Sequence, residues 1–297
     1  MYANPHYLVE TEWLAEHLDD PSLRLFEVTG MLTSSFENLA EARSYSERHL
    51  PGAAFLDVGS RNGPLYEAGE LPWMAARPEA ASKALAALGI GPGHRVVLYA
   101  ASPRPGIDKG MMWTTRAWWL LHGWGVSCAV LNGGFEKWVA ESRSVEATPR
   151  RYAPASTPFP VSDGPAMATK GDVIAALADE RAAVVDALPE PVYRGEAEVA
   201  YGARKGHIEG ALNVPMDGLL DANGCFLPEP ELRNALEAAR LLERSEVITY
   251  CGGGIAATVD AFALALLGYE NVTVYDASLF EWSNDPSLPM TNPSVQG

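Results

Sequence analysis

One pattern occurs twice along the 297 residues of the sequence, and this repeat limits the folds that the chain can adopt. The segment HLPGAAFLD begins at His49 and returns as HIEGALNVP at His207. Downstream, the run RVVLYA is matched by EVITYC, and FEKW is matched by FEW. The order is preserved, with offsets of 158 (His49 to His207), 151 (Ala100 to Cys251) and 144 residues (Trp138 to Trp282). A repeat of this kind predicts two duplicated domains, the second with shorter connections.

A proline-rich segment separates the two copies. Residues 149–165 contain five prolines among small polar residues, which is typical of an extended linker: Pro149, Pro154, Pro158, Pro160 and Pro165. The sequence therefore predicts an N-terminal domain over residues 1–148, a linker over 149–168 and a C-terminal domain over 169–297.

Both copies alternate short β-branched runs with longer segments of helical periodicity. Strands are predicted over residues 23–28, 95–99, 183–186 and 247–250, and helices over residues 78–88, 113–122, 230–242 and 256–267. This alternation predicts an α/β fold in which each domain has a mainly parallel sheet flanked by helices.

Charge and composition exclude several classes of partner. A formal net charge of -16 and a pI near 4.8 argue against extended contacts with nucleic acid or anionic lipid, which require clustered Lys and Arg. No apolar run approaches the roughly 18 residues of a membrane helix, and no leader is evident at the N-terminus, so a cytoplasmic protein is expected. An anionic substrate needs a locally positive site in such an acidic chain.

The cysteine count argues against structural cross-links. Cys128, Cys225 and Cys251 are an odd number without the spacing of a zinc site, and at least one thiol is left free. We therefore expect neither a metal nor a disulfide framework.

The segment VITYCGGGIAAT places Cys251 where a predicted strand ends and a predicted helix starts. Ligands of open α/β sheets bind at the carboxyl ends of strands. Three glycines let the backbone curl so that N–H groups face the sulfur, and the helix N-terminus adds positive potential. Both effects favour a thiolate and lower its pKa. A buried cysteine in an ordinary glycine-rich turn is the alternative, although the first copy has only Ala100 at this position.

These segments together resemble the tandem rhodanese-domain sulfurtransferases, which include thiosulfate and 3-mercaptopyruvate sulfurtransferases. The resemblance rests on the two His-x-x-Gly-Ala segments, on Asp186-Ala187, on the Cys251 loop and on Glu281-Trp282. It implies two rhodanese-like domains, an inactive N-terminal one and a C-terminal one whose active cysteine faces the domain interface. The cysteine would carry sulfur as a persulfide, with no metal or organic cofactor.

The resemblance also implies which residues form the site. Cys251 is the expected nucleophile, and its loop has the sequence Cys251, Gly252, Gly253, Gly254, Ile255, Ala256. This loop is closer to the mercaptopyruvate pattern Cys-Gly-Ser-Gly-Val-Thr than to the thiosulfate pattern Cys-Arg-Lys-Gly-Val-Thr. It departs from both at Gly253 and Ala256. Phosphatases of the same fold have an arginine six residues after the cysteine, where this chain has Ala257, so that activity is disfavoured.

Three further residues are candidates for binding the donor. Arg194 and Arg204 lie between Asp186 and His207, the segment where the family supplies arginines for the donor's anionic group, although Arg194 is two residues after the expected place. The alternative is that they balance surface glutamates. His49 matches a histidine used for donor binding or proton transfer in the mercaptopyruvate branch, and the alternative is a turn-forming role.

The expected partners are a small anionic sulfur donor, thiosulfate or 3-mercaptopyruvate, and an acceptor that is a thiol, cyanide or a protein thiol. The alternative function is a sulfur carrier or persulfide sensor with little turnover.

Overall fold

The computed structural model describes residues 1–104, 110–161, 163–199 and 201–295, and its N-terminal half is built on a five-stranded parallel sheet. The strands are β1 (Leu8–Val9), β2 (Leu23–Glu27), β3 (Ala54–Phe55), β4 (Arg95–Tyr99) and β5 (Cys128–Leu131), in the order β1-β5-β4-β2-β3. The helices are α1 (Thr11–His17), α2 (Pro78–Ala87), α3 (Gly110–Gly123) and α4 (Gly134–Ala140).

The C-terminal half repeats this topology. Its strands are β6 (Met167–Ala168), β7 (Ala182–Asp186), β8 (His207–Ile208), β9 (Leu212–Asn213), β10 (Glu246–Tyr250), β11 (Val272–Tyr275) and β12 (Met290–Thr291). Its helices are α5 (Lys170–Leu177), α6 (Glu190–Tyr193), α7 (Glu229–Ala238), α8 (Ala257–Leu266) and α9 (Ser278–Trp282). The parallel sheet has the order β6-β11-β10-β7-β9, which is the first order with each strand replaced by its counterpart. The predicted α/β architecture is confirmed.

Two short strands lie outside this duplicated plan. β8 and β12 pair antiparallel, with Ile208 opposite Met290, and so fasten the end of the chain to the segment after His207. In the described residues, no helix is long and apolar enough to cross a bilayer.

The central strands β4 and β10 are buried after their first, charged residue, because each lies between two others and is covered on both faces. Their carboxyl ends mark the same position in the two sheets, since the Ala100 carbonyl accepts from the Phe135 N–H at 3.1 Å and the Cys251 carbonyl accepts from the Leu279 N–H at 3.1 Å. The sequence comparison of Phe135 with Phe280 was therefore one residue out of register, because the counterpart of Phe135 is Leu279.

The helices that follow the two central strands pack against each other across the domain interface. Trp118 of α3 meets Phe262 of α8 edge to face, with ring centroids 4.7 Å apart. Beside them, the hydroxyls of Thr115 and Thr258 are 2.9 Å apart. Because both helices start at the carboxyl ends of their sheets, this packing brings the two strand ends toward one another.

The proline-rich segment contains no helix or strand before β6 in its described part. It lies along the N-terminal domain, where the Tyr152 ring packs on Phe26 and its hydroxyl accepts from the Leu25 N–H at 2.9 Å. The domain limits drawn from the sequence stay a prediction.

Candidate active site

Cys251 follows the last residue of β10 and begins the loop that leads into α8. Its side chain is only 2% exposed. Burial raises the pKa of the Cys251 thiol, and the backbone N–H groups of Ala257, Gly253 and Ile255 act in the opposite direction and lower it. We call these three N–H groups the amide cradle. These N–H groups thus favour the anion, in the direction that the sequence predicts.

The net direction of the pKa differs from the sequence-based expectation. The pKa of the Cys251 thiol is raised above its ordinary value, with burial as the largest cause and the charge of Asp186 adding to it. The prediction of a lowered pKa considered only the donors, and it did not include the cost of removing a thiolate from water. The free protein therefore holds a neutral thiol in a site whose donors favour the anion.

Each cradle amide is oriented through the carbonyl of its own peptide group. In a trans peptide the C=O and N–H bonds point in opposite directions, and every peptide bond in the described residues is trans. A carbonyl anchored outside the loop therefore directs its N–H inward. The Gly252 carbonyl accepts from the Phe280 N–H at 2.9 Å, and the Ala256 carbonyl accepts from the Val259 N–H at 2.9 Å. The Gly254 carbonyl accepts from Arg116 Nη1 at 3.2 Å.

Different constraints require glycine at the three glycine positions of the loop. Gly254 has φ +74°, and a Cβ there would lie 2.6 Å from the Asp276 carbonyl oxygen. Gly252 and Gly253 have no positive φ, but a Cβ would meet the Tyr201 ring at 2.2 Å and the Phe280 ring at 2.7 Å. The expected left-handed backbone is therefore found at Gly254, and the other two glycines allow aromatic rings to approach the loop.

Four aromatic side chains cover the loop, and we call them the aromatic roof: Phe36, Trp73, Tyr201 and Phe280. Phe280 has ring centroids 5.8 Å from Phe36, 5.9 Å from Trp73 and 5.8 Å from Tyr201. Two of these residues come from each domain. The sulfur is thus enclosed by both halves of the chain.

Ser278, at the start of α9, was not predicted from the sequence. Its Oγ accepts from the N–H groups of Cys251 and Gly254, both at 3.1 Å, and donates to the Tyr275 carbonyl at 2.6 Å. It adopts a left-handed backbone with φ 49°, which is unfavourable for serine. Its counterpart Gly134 has φ 55°. The sequence comparison gave no signal here, because only the register of the structure aligns this serine with a glycine of the other copy.

Arg116 was also not predicted from the sequence to belong to the site. It lies in the largely apolar helix α3 of the N-terminal domain, and its side chain is fully buried. Its Nη2 lies 2.7 Å from Asp276 Oδ1 and donates to the Trp73 carbonyl at 2.5 Å. A lone charge within the segment MMWTTRAWWLL was the available signal, because a buried charge requires a partner.

The two predicted donor-binding arginines have other partners. The Arg204 guanidinium donates to four backbone carbonyls, at 2.5 to 3.0 Å, those of Trp282, Ser283, Asp285 and Leu288. Arg194 is exposed and pairs with Glu196 at 2.9 Å and Glu190 at 3.5 Å. This matches the surface alternative for Arg194, whereas Arg204 fastens the chain after α9.

His49 is fully buried and repeats the setting of His207. The ring of His49 stacks on Tyr45 at 4.1 Å, and its Nδ1 lies 2.7 Å from the Tyr45 carbonyl oxygen. The ring of His207 stacks on Tyr193 at 3.6 Å, and its Nδ1 lies 2.8 Å from the Tyr193 carbonyl oxygen. The same contacts in both domains indicate a structural role for each histidine.

Two buried carboxyl groups lie near the loop. Burial raises the pKa of Asp186 to about 7, and its Oδ1 accepts from the Leu188 N–H at 2.9 Å. Burial, reinforced by the charge of Asp186, also raises the pKa of Asp260 in α8 well above its ordinary range. Burial thus favours the neutral form of both carboxyl groups beside the loop.

Comparison with known proteins gives consistent similarities along the chain. The family described as "Rhodanese-like domain" matches residues 10–141 and again residues 169–285. The 3-mercaptopyruvate sulfurtransferase of Escherichia coli (strain K12) is 31% identical over 292 residues, covering 96% of this chain and 97% of the relative. Thiosulfate sulfurtransferase of Bos taurus is 31% identical over 284 residues, covering 93% of this chain and 91% of the relative.

A solved structure gives the same result. The crystal structure of SseA from Escherichia coli, described as a 3-mercaptopyruvate sulfotransferase with the rhodanese fold, superposes with a TM-score of 0.77 at 29% identity. The alignment covers 92% of this chain and 98% of that one.

Proposed function

The chain belongs to the rhodanese family and is a two-domain sulfurtransferase, and from this premise we propose that Cys251 is the residue that accepts and delivers the sulfur. The observation that carries the proposal is the amide cradle, because three N–H groups around one sulfur stabilise an anion there. The same cradle suits the thiolate that attacks and the persulfide anion that remains.

The reaction consists of two displacements on sulfur. The Cys251 thiol first loses its proton, and the thiolate attacks the outer sulfur of thiosulfate or the thiol sulfur of 3-mercaptopyruvate. A new S–S bond forms while the donor's bond to that sulfur breaks, and the electron pair leaves with sulfite or with the pyruvate enolate, which takes up a proton. A thiol, cyanide or a protein thiol then attacks the outer sulfur and regenerates the thiolate.

The donor reaches the sulfur only when part of the aromatic roof moves, because Cys251 is 2% exposed in the free protein. We place the donor between the roof and the amide cradle. Arg194 and Arg204 are not used in this scheme, since one forms surface ion pairs and the other holds backbone carbonyls. A role for His49 in donor binding stays a prediction of the family resemblance.

The decisive test compares wild type with Cys251→Ser in the full-length protein. Sulfite release from thiosulfate and pyruvate release from 3-mercaptopyruvate should both be measured, together with the added sulfur on the Cys251 peptide by mass spectrometry. Turnover should disappear in Cys251→Ser and persist in Cys225→Ser, a matched control at the half-buried thiol. Turnover that survives in Cys251→Ser contradicts the proposal.

A sulfur carrier is the second candidate, and the closed site favours it. A buried thiol with a raised pKa reacts slowly with small donors until the roof opens. In that case the same experiment gives a stable persulfide on Cys251 without sustained release of sulfite or pyruvate. Sustained turnover on either donor contradicts the carrier.

A further inference from the structure

The amide cradle of the C-terminal domain depends on one side chain of the N-terminal domain. The carbonyls of Gly252 and Ala256 are anchored by backbone N–H groups of the same domain, from Phe280 and Val259. The Gly254 carbonyl is instead anchored by Arg116, which belongs to α3. The N–H that shares a peptide group with this carbonyl is that of Ile255, whose hydrogen bond to Cys251 lowers the pKa of the thiol.

Arg116 is held in place by contacts that leave it little freedom. Its Nη2 bridges Asp276 Oδ1 at 2.7 Å and the Trp73 carbonyl at 2.5 Å, while Nη1 reaches the Gly254 carbonyl at 3.2 Å. The other carboxylate oxygen of Asp276 accepts from the Ala75 N–H at 2.8 Å. A planar fork fixed at several points defines the direction of the carbonyl that it binds.

The matching position in the other domain holds no charge. Thr115 and Thr258 meet across the interface, and the residues that follow them are Arg116 and Val259. The arginine therefore lies only in the helix that faces the Cys251 loop, and the helix of the catalytic domain has valine. The free-energy cost of desolvating a buried arginine is seldom exceeded by the gain from its ion pair. A contribution to stability therefore does not by itself explain an arginine at this position.

We propose that Arg116 is a positioning residue, which holds the Gly254 carbonyl outward, directs the Ile255 N–H at the sulfur, and so makes the nucleophile's reactivity depend on the seating of the N-terminal domain. This inference rests on the proposed role of Cys251. It assigns a specific task to the domain that has alanine in place of the cysteine. Because Arg116 also binds the Trp73 carbonyl, the same side chain couples the roof to the cradle.

The test is the pH dependence of Cys251 alkylation by iodoacetamide, read on the Cys251 peptide by mass spectrometry in the full-length protein. The midpoint of the profile reports thiolate formation, and the plateau rate at high pH reports access. Arg116→Met should move the midpoint upward by about one pH unit or more, which is about a tenfold lower rate at any pH below it. Arg116→Lys retains the charge but not the fork, and its midpoint should lie between the two.

Thr114→Val is the matched control, because it removes a buried hydroxyl of the same helix that donates within α3, to the Gly110 carbonyl at 3.2 Å. Its midpoint should equal that of wild type. A wild-type midpoint in folded Arg116→Met overturns the inference, and so does full recovery in Arg116→Lys, since charge alone would then suffice. If Arg116→Met does not fold, the inference is tested with Arg116→Lys alone, and a wild-type midpoint in that variant overturns it.

This measurement requires no sulfur donor, so its failure is distinguishable from failure of the proposed function. Sulfur transfer that survives in Cys251→Ser removes the function, whereas an unchanged alkylation profile removes only the role of Arg116.

Discussion

The two domains have the same strand order but different chemistry at the end of the central strand. In the first, Glu27 accepts from the hydroxyls of Thr29 and Tyr99, both at 2.8 Å, and the Thr29 hydroxyl accepts from the Ala101 N–H at 2.8 Å. The carboxylate and the start of the loop are tied together. This strand end is a closed hydrogen-bond network around an alanine.

In the second domain only part of this network is present. Asp186 replaces Glu27 and has a hydrogen bond with Tyr250 that lowers its pKa, as Glu27 has with Tyr99, but Leu188 replaces Thr29 and supplies no hydroxyl. The loop is held from other directions, by Ser278 and by Arg116. The two domains thus share a scaffold but hold the loop after the central strand by different hydrogen bonds.

The strongest test of this difference between the domains is whether a thiol at the strand end is by itself sufficient for sulfur transfer. Ala100→Cys in the Cys251→Ser background places a cysteine at the matching strand end, without the glycines or the cradle. We expect no recovery of sulfur transfer, a deficit of about a thousandfold or more against wild type, because the thiolate lacks aligned donors. Sulfite and pyruvate release measure this, and recovery to within tenfold of wild type contradicts the importance of the cradle.

The buried carboxyl groups provide a test through stability. Burial raises the pKa of Glu27 from 4.5 to about 7, while its hydrogen bonds oppose this, and burial raises the pKa of Asp186 from 3.8 to about 7. These two groups ionise first in the unfolded chain as pH rises, so their contribution to stability is fully present below about pH 4 and is lost as the pH rises to about 7. Glu27 and Asp186 each account for about 3 to 4 kcal/mol of this loss.

Glu27→Gln should therefore flatten the fall in melting temperature between pH 5 and 8 and leave alkylation of Cys251 unchanged. Asp186→Asn should flatten it as well, but it should also speed alkylation at neutral pH, because the Asp186 charge raises the pKa of the thiol. Glu47→Gln, at an exposed carboxyl, is the control and should change neither. Equal effects of the two buried substitutions on Cys251 contradict the distinction between the domains.

The sequence predicted the features that depend on local pattern and missed those that depend on the interface. The repeat, the central strands and the Cys251 loop follow from residues adjacent in sequence, and the prediction of the α/β fold was confirmed. Arg116 is far from Gly254 in sequence, and only the packing of α3 on α8 brings them together. The depth of burial of Cys251, and with it the direction of its pKa, required the roof to be known.

Ser278 is the next point at which the comparison can be tested, because its counterpart is glycine. Ser278→Gly should lower sulfur transfer by about tenfold, since the N–H groups of Cys251 and Gly254 lose their acceptor. Ser278→Ala should lose the same activity and about 1 kcal/mol more stability, because alanine at φ 49° is strained and glycine is not. Ser283→Ala, at a buried serine whose hydroxyl bonds only the Leu279 carbonyl among the described residues, should retain activity. Wild-type turnover in both Ser278 variants removes the serine from the site.

The smallest expected effect concerns the roof, whose four rings come equally from the two domains. Removing the ring in Tyr201→Ala uncovers Gly252, and Phe36→Ala removes a ring that packs on Trp73 and Phe280. Because burial is the largest cause of the raised thiol pKa, each substitution should lower the alkylation midpoint and raise the plateau rate a few-fold. A change on Tyr201→Ala alone means that the C-terminal domain covers its own cysteine. Equal changes in the two variants mean that both domains cover Cys251, which is what the contacts of the four rings predict. The midpoint and the plateau rate of the alkylation profile distinguish these two outcomes.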